Sequence, residues 1–304
     1  MQKITAFYRS INICIVVLAL LPALPALSQA CTISTDTVTI GSGMMSIHQA
    51  GDGPTVVLLH GLFAQKEQWD SYVCQLAEAG YNVLAPDLPG FGASHGFSLS
   101  DYALSQQVVL LHGLMTQLSI EQVHIAGNSM GGAIAALWAE QHPHRVLSIA
   151  FIGAPMGVVT WSPQVQRAIL AGTHPFMPRT LSEFDQQMEL LFAQPPVFPD
   201  EFKKNLITDY RDSIEHYRQV WDIVNLDACL SIATGLNDLP ALILWGKADA
   251  IFNIEGAAVL AQRLPHAQRV DLPNLGHLPM LEQAETTVRH YIEFLHHVTD
   301  RAAH

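Results

Sequence analysis

The chain has 304 residues, of which 49% are apolar and 14% are charged. This composition supplies a large hydrophobic core and excludes an intrinsically disordered or fibrous protein. The formal net charge is −12, so the chain lacks the excess of basic residues that binding to nucleic acid requires. The length suggests about two domains, although α/β folds of this size often form a single unit.

The first 30 residues have the features of a secretory signal peptide. Lys3 and Arg9 precede an apolar run over residues 11–27, and the segment ends in Ser28-Gln29-Ala30, with small residues at the positions that signal peptidase requires. The apolar run is also near the lower limit for crossing a bilayer, so a retained anchor is an alternative. A third is a lipoprotein, in which Cys31 carries the lipid. All three place the protein outside the cytosol: periplasmic, secreted or membrane-bound.

Three cysteines follow this segment: Cys31, Cys74 and Cys229. An odd number permits at most one intramolecular disulfide, and the sequence leaves open which two residues would form it. Cys74 falls on a predicted amphipathic helix. We expect its thiol to be free and buried, as a small apolar side chain would be.

The rest of the chain alternates short apolar runs with helical segments, a pattern typical of a mostly parallel sheet flanked by helices on both faces. The predicted strands are residues 55–59, 81–85, 123–126, 147–152, 241–245 and 267–272. The predicted helices are residues 68–78, 99–118, 130–141, 254–264 and 284–296. We expect a doubly wound α/β fold, with functional groups on the loops that follow the strands.

Residues 158–238 interrupt this alternation, because they contain no strong signal for a buried strand. Prolines separate four helix-like segments here, at residues 161–170, 181–192, 199–207 and 214–224. We predict a helical cap, inserted between late strands of a core formed by residues 31–157 and 239–304. Its apolar side chains would suit an acyl chain, or they would simply pack against one another.

The run Gly127-Asn128-Ser129-Met130-Gly131 has the pattern Gly-x-Ser-x-Gly and lies between a predicted strand and a predicted helix. A sharp turn there exposes the serine hydroxyl above the sheet, and the glycines permit the strained backbone. Ser129 is therefore the candidate nucleophile. The amide of Met130, at the start of the helix, is a candidate donor to an oxyanion. A plain glycine-rich turn is the alternative interpretation.

A second motif, His60-Gly61-Leu62-Phe63, follows the strand at residues 55–59. Gly61 would let the chain pass close to the nucleophile. We assign the second oxyanion donor to the amide of Leu62, with that of Phe63 as the alternative. We expect His60 to shape the loop and not to act as a base.

Two further candidates follow the last two strands. Asp249 comes after the strand at residues 241–245, where a carboxylate can hold a histidine in the correct tautomer, although turn formation is the commoner role of aspartate in loops. His277 lies in Gly276-His277-Leu278-Pro279, where it can accept the proton of Ser129 and return it to a leaving group.

These motifs, together with the run from Asp87 to Ser94, resemble the α/β-hydrolase superfamily over about residues 37–294. The chain order of serine, aspartate and histidine agrees with that family. The run from His60 to Trp69 and the cap segments 178–184 and 195–199 are similar to membrane-associated monoacylglycerol lipases and related bacterial lipases. The resemblance implies hydrolysis of carboxylic esters, including monoacylglycerols, through an acyl-enzyme.

Two alternatives stay open. The serine motif is equally similar to hydrolases that split carbon–carbon bonds in ring-cleavage products, but those usually carry tryptophan after the catalytic histidine, where this chain has Leu278. The other alternative is a catalytically silent, membrane-tethered binding protein, although no member of the catalytic set is missing.

The expected partners are a small ester or acylglycerol substrate and a membrane surface, the latter reached through the N-terminal segment or a lipidated Cys31. The His and Cys residues lack the spacing of metal ligands, so we expect neither a metal nor a cofactor.

Overall fold

The computed structural model describes residues 31–226, 236 and 238–302. The expected signal segment, residues 1–30, and Cys229 lie outside the described residues. Within the described part of the chain, no helix combines the length and the apolar character needed to cross a membrane.

The core is an eight-stranded sheet with the strand order β1-β2-β4-β3-β5-β6-β7-β8. Strands β3 to β8 run parallel, whereas β2 is antiparallel to both of its neighbours, β1 and β4. The strands are β1 (Ser34–Ile40), β2 (Gly43–Ala50), β3 (Thr55–Leu59), β4 (Asn82–Pro86), β5 (Val123–Ser129), β6 (Val146–Pro155), β7 (Ala241–Gly246) and β8 (Gln268–Leu272). The predicted mostly parallel sheet is confirmed.

Helices cover both faces of the sheet. One face packs against α1 (Asp70–Glu78) and α10 (Ala284–Ala302), and the other against α2 (Leu104–Gln117), α3 (Met130–Gln141) and α8 (Glu255–Arg263). Among the described residues, four more helices lie between β6 and β7: α4 (Pro163–Leu170), α5 (Leu181–Leu191), α6 (Asp200–Asp212) and α7 (Ile214–Leu226). We call these helices, together with the described loops between residues 158 and 238, the cap. A short helix, α9 (Pro279–Glu282), precedes α10.

Strand β3 shows why continuous apolar runs predicted the sheet correctly. Its side chains alternate between the two hydrophobic cores: Val57 and Leu59 enter one, and Val56 and Leu58 enter the other. Each such side chain contributes about 1.5–3 kcal/mol when fully buried. A strand covered on both faces therefore needs apolar residues at every position.

The hairpin formed by β1 and β2 was not predicted. Along β1 only Ile40 is fully buried, so this edge strand carries no continuous apolar run. Its turn relies on Gly41, whose φ of +60° lies in the left-handed region that glycine tolerates best. Edge strands of this kind carry a weaker sequence signal than the central strands because one face is solvated.

The expectation of a free thiol at Cys74 is wrong, because Cys74 forms a disulfide with Cys31. The helical pattern around Cys74 predicted its burial but could not show that the segment leading into β1 passes beside α1. The Cα atoms of the two cysteines are 5.4 Å apart, and the bridge links residues 43 positions apart in the sequence. It therefore fixes the start of the hairpin to α1.

Reduction of this disulfide is expected to destabilise the fold. The bridge restricts a long loop of the unfolded chain, so its loss should lower the free energy of unfolding by about 2–4 kcal/mol. Urea titrations with and without dithiothreitol measure this difference. The double variant Cys31→Ser, Cys74→Ser is the control: it should match the reduced protein and respond no further to reductant.

Candidate active site

Ser129 lies at the sharp turn between β5 and α3, and its backbone φ is +50° with ψ −116°. This conformation costs a non-glycine residue about 1–3 kcal/mol, and surrounding structure must enforce it. A β-carbon at Gly127 would lie 2.3 Å from the carbonyl carbon of Gly131, and one at Gly131 would lie 2.2 Å from the carbonyl oxygen of Leu59. Both glycines are therefore required by close backbone contacts, and the predicted strained turn is confirmed.

Asp249 and His277 form a buried pair. Nδ1 of His277 lies 2.9 Å from Oδ2 of Asp249, and the residues are only 3% and 4% exposed, respectively. The other carboxylate oxygen, Oδ1, accepts the backbone N–H groups of Ile251 and Phe252 at 2.8 and 2.9 Å. The carboxylate is thus held on both sides. An imidazole that donates from Nδ1 to it presents Nε2 as its basic nitrogen.

Asn128 links the turn that carries Ser129 to the loop that carries His277, a role that the sequence analysis did not assign. Its Nδ2 donates to the carbonyl oxygens of Ile152, at 2.9 Å, and of His277, at 3.1 Å. The residue before Ser129 therefore holds the backbone of His277 directly.

Ser129 and His277 line one cavity of about 1200 Å³, which includes space open to solvent. Most of its wall is apolar, and the cap supplies most of that wall: Trp161, Phe176, Phe184, Met188, Leu191, Phe192, Phe198 and Leu206. Gln68 and Gln187 are polar exceptions. Both are buried, and among the described residues Nε2 of Gln68 and Oε1 of Gln187 have no hydrogen-bond partner. The cavity therefore suits an apolar group that carries a few polar atoms.

The loop after β3 passes close to Ser129, as expected. A β-carbon at Gly61 would lie 3.3 Å from Cβ of Ser129 and 2.9 Å from Oδ1 of Asn128. The following residues, Leu62 and Phe63, line the cavity, and the positive φ of Phe63, +59°, turns the chain there. The loop thus passes beside Ser129 and forms part of the cavity wall.

His60 is engaged at both ring nitrogens. Nδ1 donates to the carbonyl oxygen of Gly61 at 2.8 Å, which leaves Nε2 to accept the N–H of Leu88 at 2.9 Å. Burial lowers the pKa of His60, so the ring stays neutral at pH 7. These contacts agree with the expected role of shaping the loop.

Asp87, in the run that carried part of the family resemblance, holds the same loop through a buried ion pair. Its Oδ1 accepts the backbone N–H of Lys66 at 2.7 Å, and its Oδ2 accepts from Nζ of Lys66 at 2.8 Å and from the N–H of Ala93 at 2.7 Å. Burial lowers the pKa of Lys66, but the ion pairs with Asp87 and Glu67 together outweigh this effect, so the pKa is raised. This aspartate is therefore structural.

Within residues 31–226, 236 and 238–302, no group of three or more His, Cys, Asp or Glu side chains is arranged to hold a metal ion.

Comparison with known proteins gives consistent matches. A sequence profile of the α/β-hydrolase fold matches residues 54–284. Lipase 3 of Moraxella sp. (strain TA144) is 25% identical over 268 residues, which cover 85% of this chain and 83% of the relative. Monoacylglycerol lipase ABHD6 of Mus musculus is 28% identical over 258 residues, covering 81% of this chain and 76% of the relative. These relatives support the predicted class of enzyme, a carboxylic ester hydrolase.

Solved structures agree on the fold. The crystal structure of a membrane phospholipase A, a bacterial virulence factor, has a TM-score of 0.81 and 30% identity, and the match covers 88% of this chain and 87% of that one. A 2-hydroxy-6-oxo-6-phenylhexa-2,4-dienoate hydrolase from Rhodococcus sp. strain RHA1 has a TM-score of 0.69 and 25% identity, covering 88% and 100%. Because the profile match spans more than half of the sequence, the chain belongs to the α/β-hydrolase family.

Proposed function

We propose that the protein hydrolyses carboxylic esters of lipids, with Ser129 as nucleophile, His277 as general base and acid, and Asp249 as the residue that orients His277. The observation that carries this proposal is the buried Asp249–His277 pair, whose histidine lines the same cavity as a serine on a strained turn. Strain at a single residue is typical of a catalytic position.

The mechanism follows from these roles. Oγ of Ser129 attacks the ester carbonyl carbon while Nε2 of His277 takes the hydroxyl proton. The amides of Leu62 and Met130 stabilise the oxyanion of the tetrahedral intermediate. The bond to the leaving alcohol then breaks, and His277 gives that alcohol its proton. Water attacks the acyl-enzyme with His277 again as base, which releases the acid and restores Ser129.

The cavity supports a lipid substrate. Its apolar cap wall can enclose an acyl chain. Nε2 of Gln68 can donate to an ester or hydroxyl oxygen of such a substrate, and Oε1 of Gln187 can accept a hydrogen bond from a hydroxyl group. The similar proteins are named lipase, monoacylglycerol lipase and phospholipase. We infer that a monoacylglycerol or a related lipid ester is the substrate.

Carbon–carbon bond hydrolysis is a second candidate, favoured by the likeness to the Rhodococcus hydrolase. Leu278 lines the cavity beside His277, at the position where that class usually carries tryptophan. The absence of that tryptophan favours the ester substrate.

The Cys31–Cys74 disulfide supports export, because such bridges persist in oxidising compartments outside the cytosol. The bridge also uses the sulfur atom of Cys31 that a lipid would occupy. We therefore propose that the N-terminal segment is a cleaved signal and that Cys31 is not lipidated.

Replacement of the nucleophile tests the reaction. Ser129→Ala should lower kcat for p-nitrophenyl butyrate at least ~10³-fold, because it removes the hydroxyl on which the proposed acyl-enzyme forms. Ser182→Ala, an exposed serine at the start of α5, is the matched control and should retain wild-type activity. A fluorophosphonate probe should label the wild type at Ser129. Unchanged hydrolysis in Ser129→Ala, or an unlabelled wild type, would contradict the proposal, and turnover of a ring-cleavage product alone would favour the second candidate.

The cap wall is expected to set the acyl-chain length. Met188→Trp reduces the space beside Phe184 and Leu191, so kcat/KM for a decanoyl ester should fall at least ~10-fold, while that for an acetyl ester changes less than about 2-fold. Leu170→Trp, on the solvent-exposed end of α4, should change neither value. An equal loss for both esters in Met188→Trp would show that the acyl chain lies elsewhere.

Mass spectrometry of the mature protein tests the N-terminus. We expect a chain that begins at Cys31, with a non-reduced peptide linking it to Cys74. A diacylglycerol mass on Cys31, or an intact N-terminus at Met1, would be inconsistent with this expectation.

A further inference from the structure

The loop that carries His277 lies directly against the cap backbone that follows α5. The N–H of His277 donates to the carbonyl oxygen of Leu191 at 3.0 Å. A β-carbon at Gly276 would lie 2.7 Å from the backbone nitrogen of Ala193 and 2.9 Å from the oxygen of Leu191. The two backbones are therefore as close as a glycine permits.

Glu282, the last residue of α9, bonds to both of these backbones. Its Oε1 accepts the N–H of Gly276 at 2.6 Å, and its Oε2 accepts the N–H of Ala193 at 2.8 Å. One side chain thus joins the residue before His277 to the cap segment 191–194.

Only a carboxylate can make these contacts. It offers two acceptor oxygens, whereas the amide of glutamine offers one acceptor and would place an N–H group against a backbone N–H. Burial raises the pKa of Glu282, and the negative charge of Asp249 adds to this effect, while the backbone N–H donors oppose it. The carboxyl group of Glu282 therefore lies where burial and the negative charge of Asp249 disfavour its ionised form.

The clamped segment is also part of the cavity wall. Leu191 and Phe192 line the cavity together with His277. An acyl chain that packs on these two side chains therefore contacts the segment whose backbone accepts the hydrogen bond from His277.

We propose that Glu282 is a positioning residue that holds His277 in register with the cap, so that the base is correctly placed only while segment 191–194 is docked. This inference rests on the proposed function, because it assigns Glu282 a role in the same reaction. Glu282 acts through the backbones of Gly276 and Ala193.

Glu282→Gln tests this role. We expect kcat for p-nitrophenyl butyrate to fall about 10-fold while KM changes less than about 2-fold, because a displaced base slows the reaction without removing the binding surface. The downfield proton NMR signal of the imidazole proton between His277 and Asp249 should broaden or shift. Hydrogen exchange in peptides covering residues 186–194 should rise. Glu285→Gln, an exposed glutamate at the start of α10, is the matched control and should change none of these.

A second variant separates this role from a loss of folding. Ala193→Pro removes the N–H that donates to Oε2 of Glu282, and the extended backbone of Phe192 is compatible with a following proline. Its kcat should fall by a similar factor. The kcat of the double variant with Glu282→Gln should be no lower than that of either single variant, because both changes break the same contact between Glu282 and the cap. Near-UV circular dichroism reports whether each variant is folded.

The failures of the two proposals are distinguishable. If the wild type hydrolyses no ester, or if Ser129→Ala is fully active, the proposed function is wrong, and the exchange data alone then test the clamp. If Ser129→Ala is inactive but a folded Glu282→Gln keeps wild-type kcat and exchange, the positioning role is overturned. The positioning role is also overturned if kcat of the double variant falls by the product of the two single-variant factors.

Discussion

The close contact between the turn that carries Ser129 and the end of β3 is the constraint on which the rest of the site depends. Because Gly131 has no side chain, the start of α3 lies against the carbonyl of Leu59, and Ser129 is held in a backbone conformation that it would not adopt alone. Burial of β3 and β5 on both faces supplies the free energy that maintains this strain. The sheet therefore holds Ser129, the candidate nucleophile, in its strained conformation.

The other two members of the candidate set are held by backbone polar groups, so their positions follow from the loops that carry them. Two N–H groups fix one oxygen of Asp249, and the carbonyl of His277 accepts from Asn128. The Asn128–His277 and Asp249–His277 contacts link the loops that follow β5, β7 and β8, which are far apart in the sequence. The cap adds the apolar wall of the cavity. Asp249, His277 and this wall therefore come together only in the folded chain.

Much of this arrangement could be predicted from the sequence, because the candidate residues lie on local motifs that follow apolar strands. Ser129 and the glycines around it form one short run. Asp249 follows β7, which is buried along its whole length, and His277 follows β8, in which only Leu272 is buried. The disulfide and the Glu282 contacts could not be predicted. Each joins segments that are distant in the chain, and neither Cys74 nor Glu282 lies in a pattern that names its partner.

The absence of a side chain at Gly276 also bears on the modularity of the molecule. The cap is contiguous in sequence, which makes it look exchangeable as a unit, yet its backbone at Ala193 fits a gap that only glycine leaves in the core. Cap and core must therefore change together at this point. A chimaera that imports a foreign cap would have to import the matching histidine loop and its glutamate as well, so substrate range cannot be transferred by exchanging the helical segment alone.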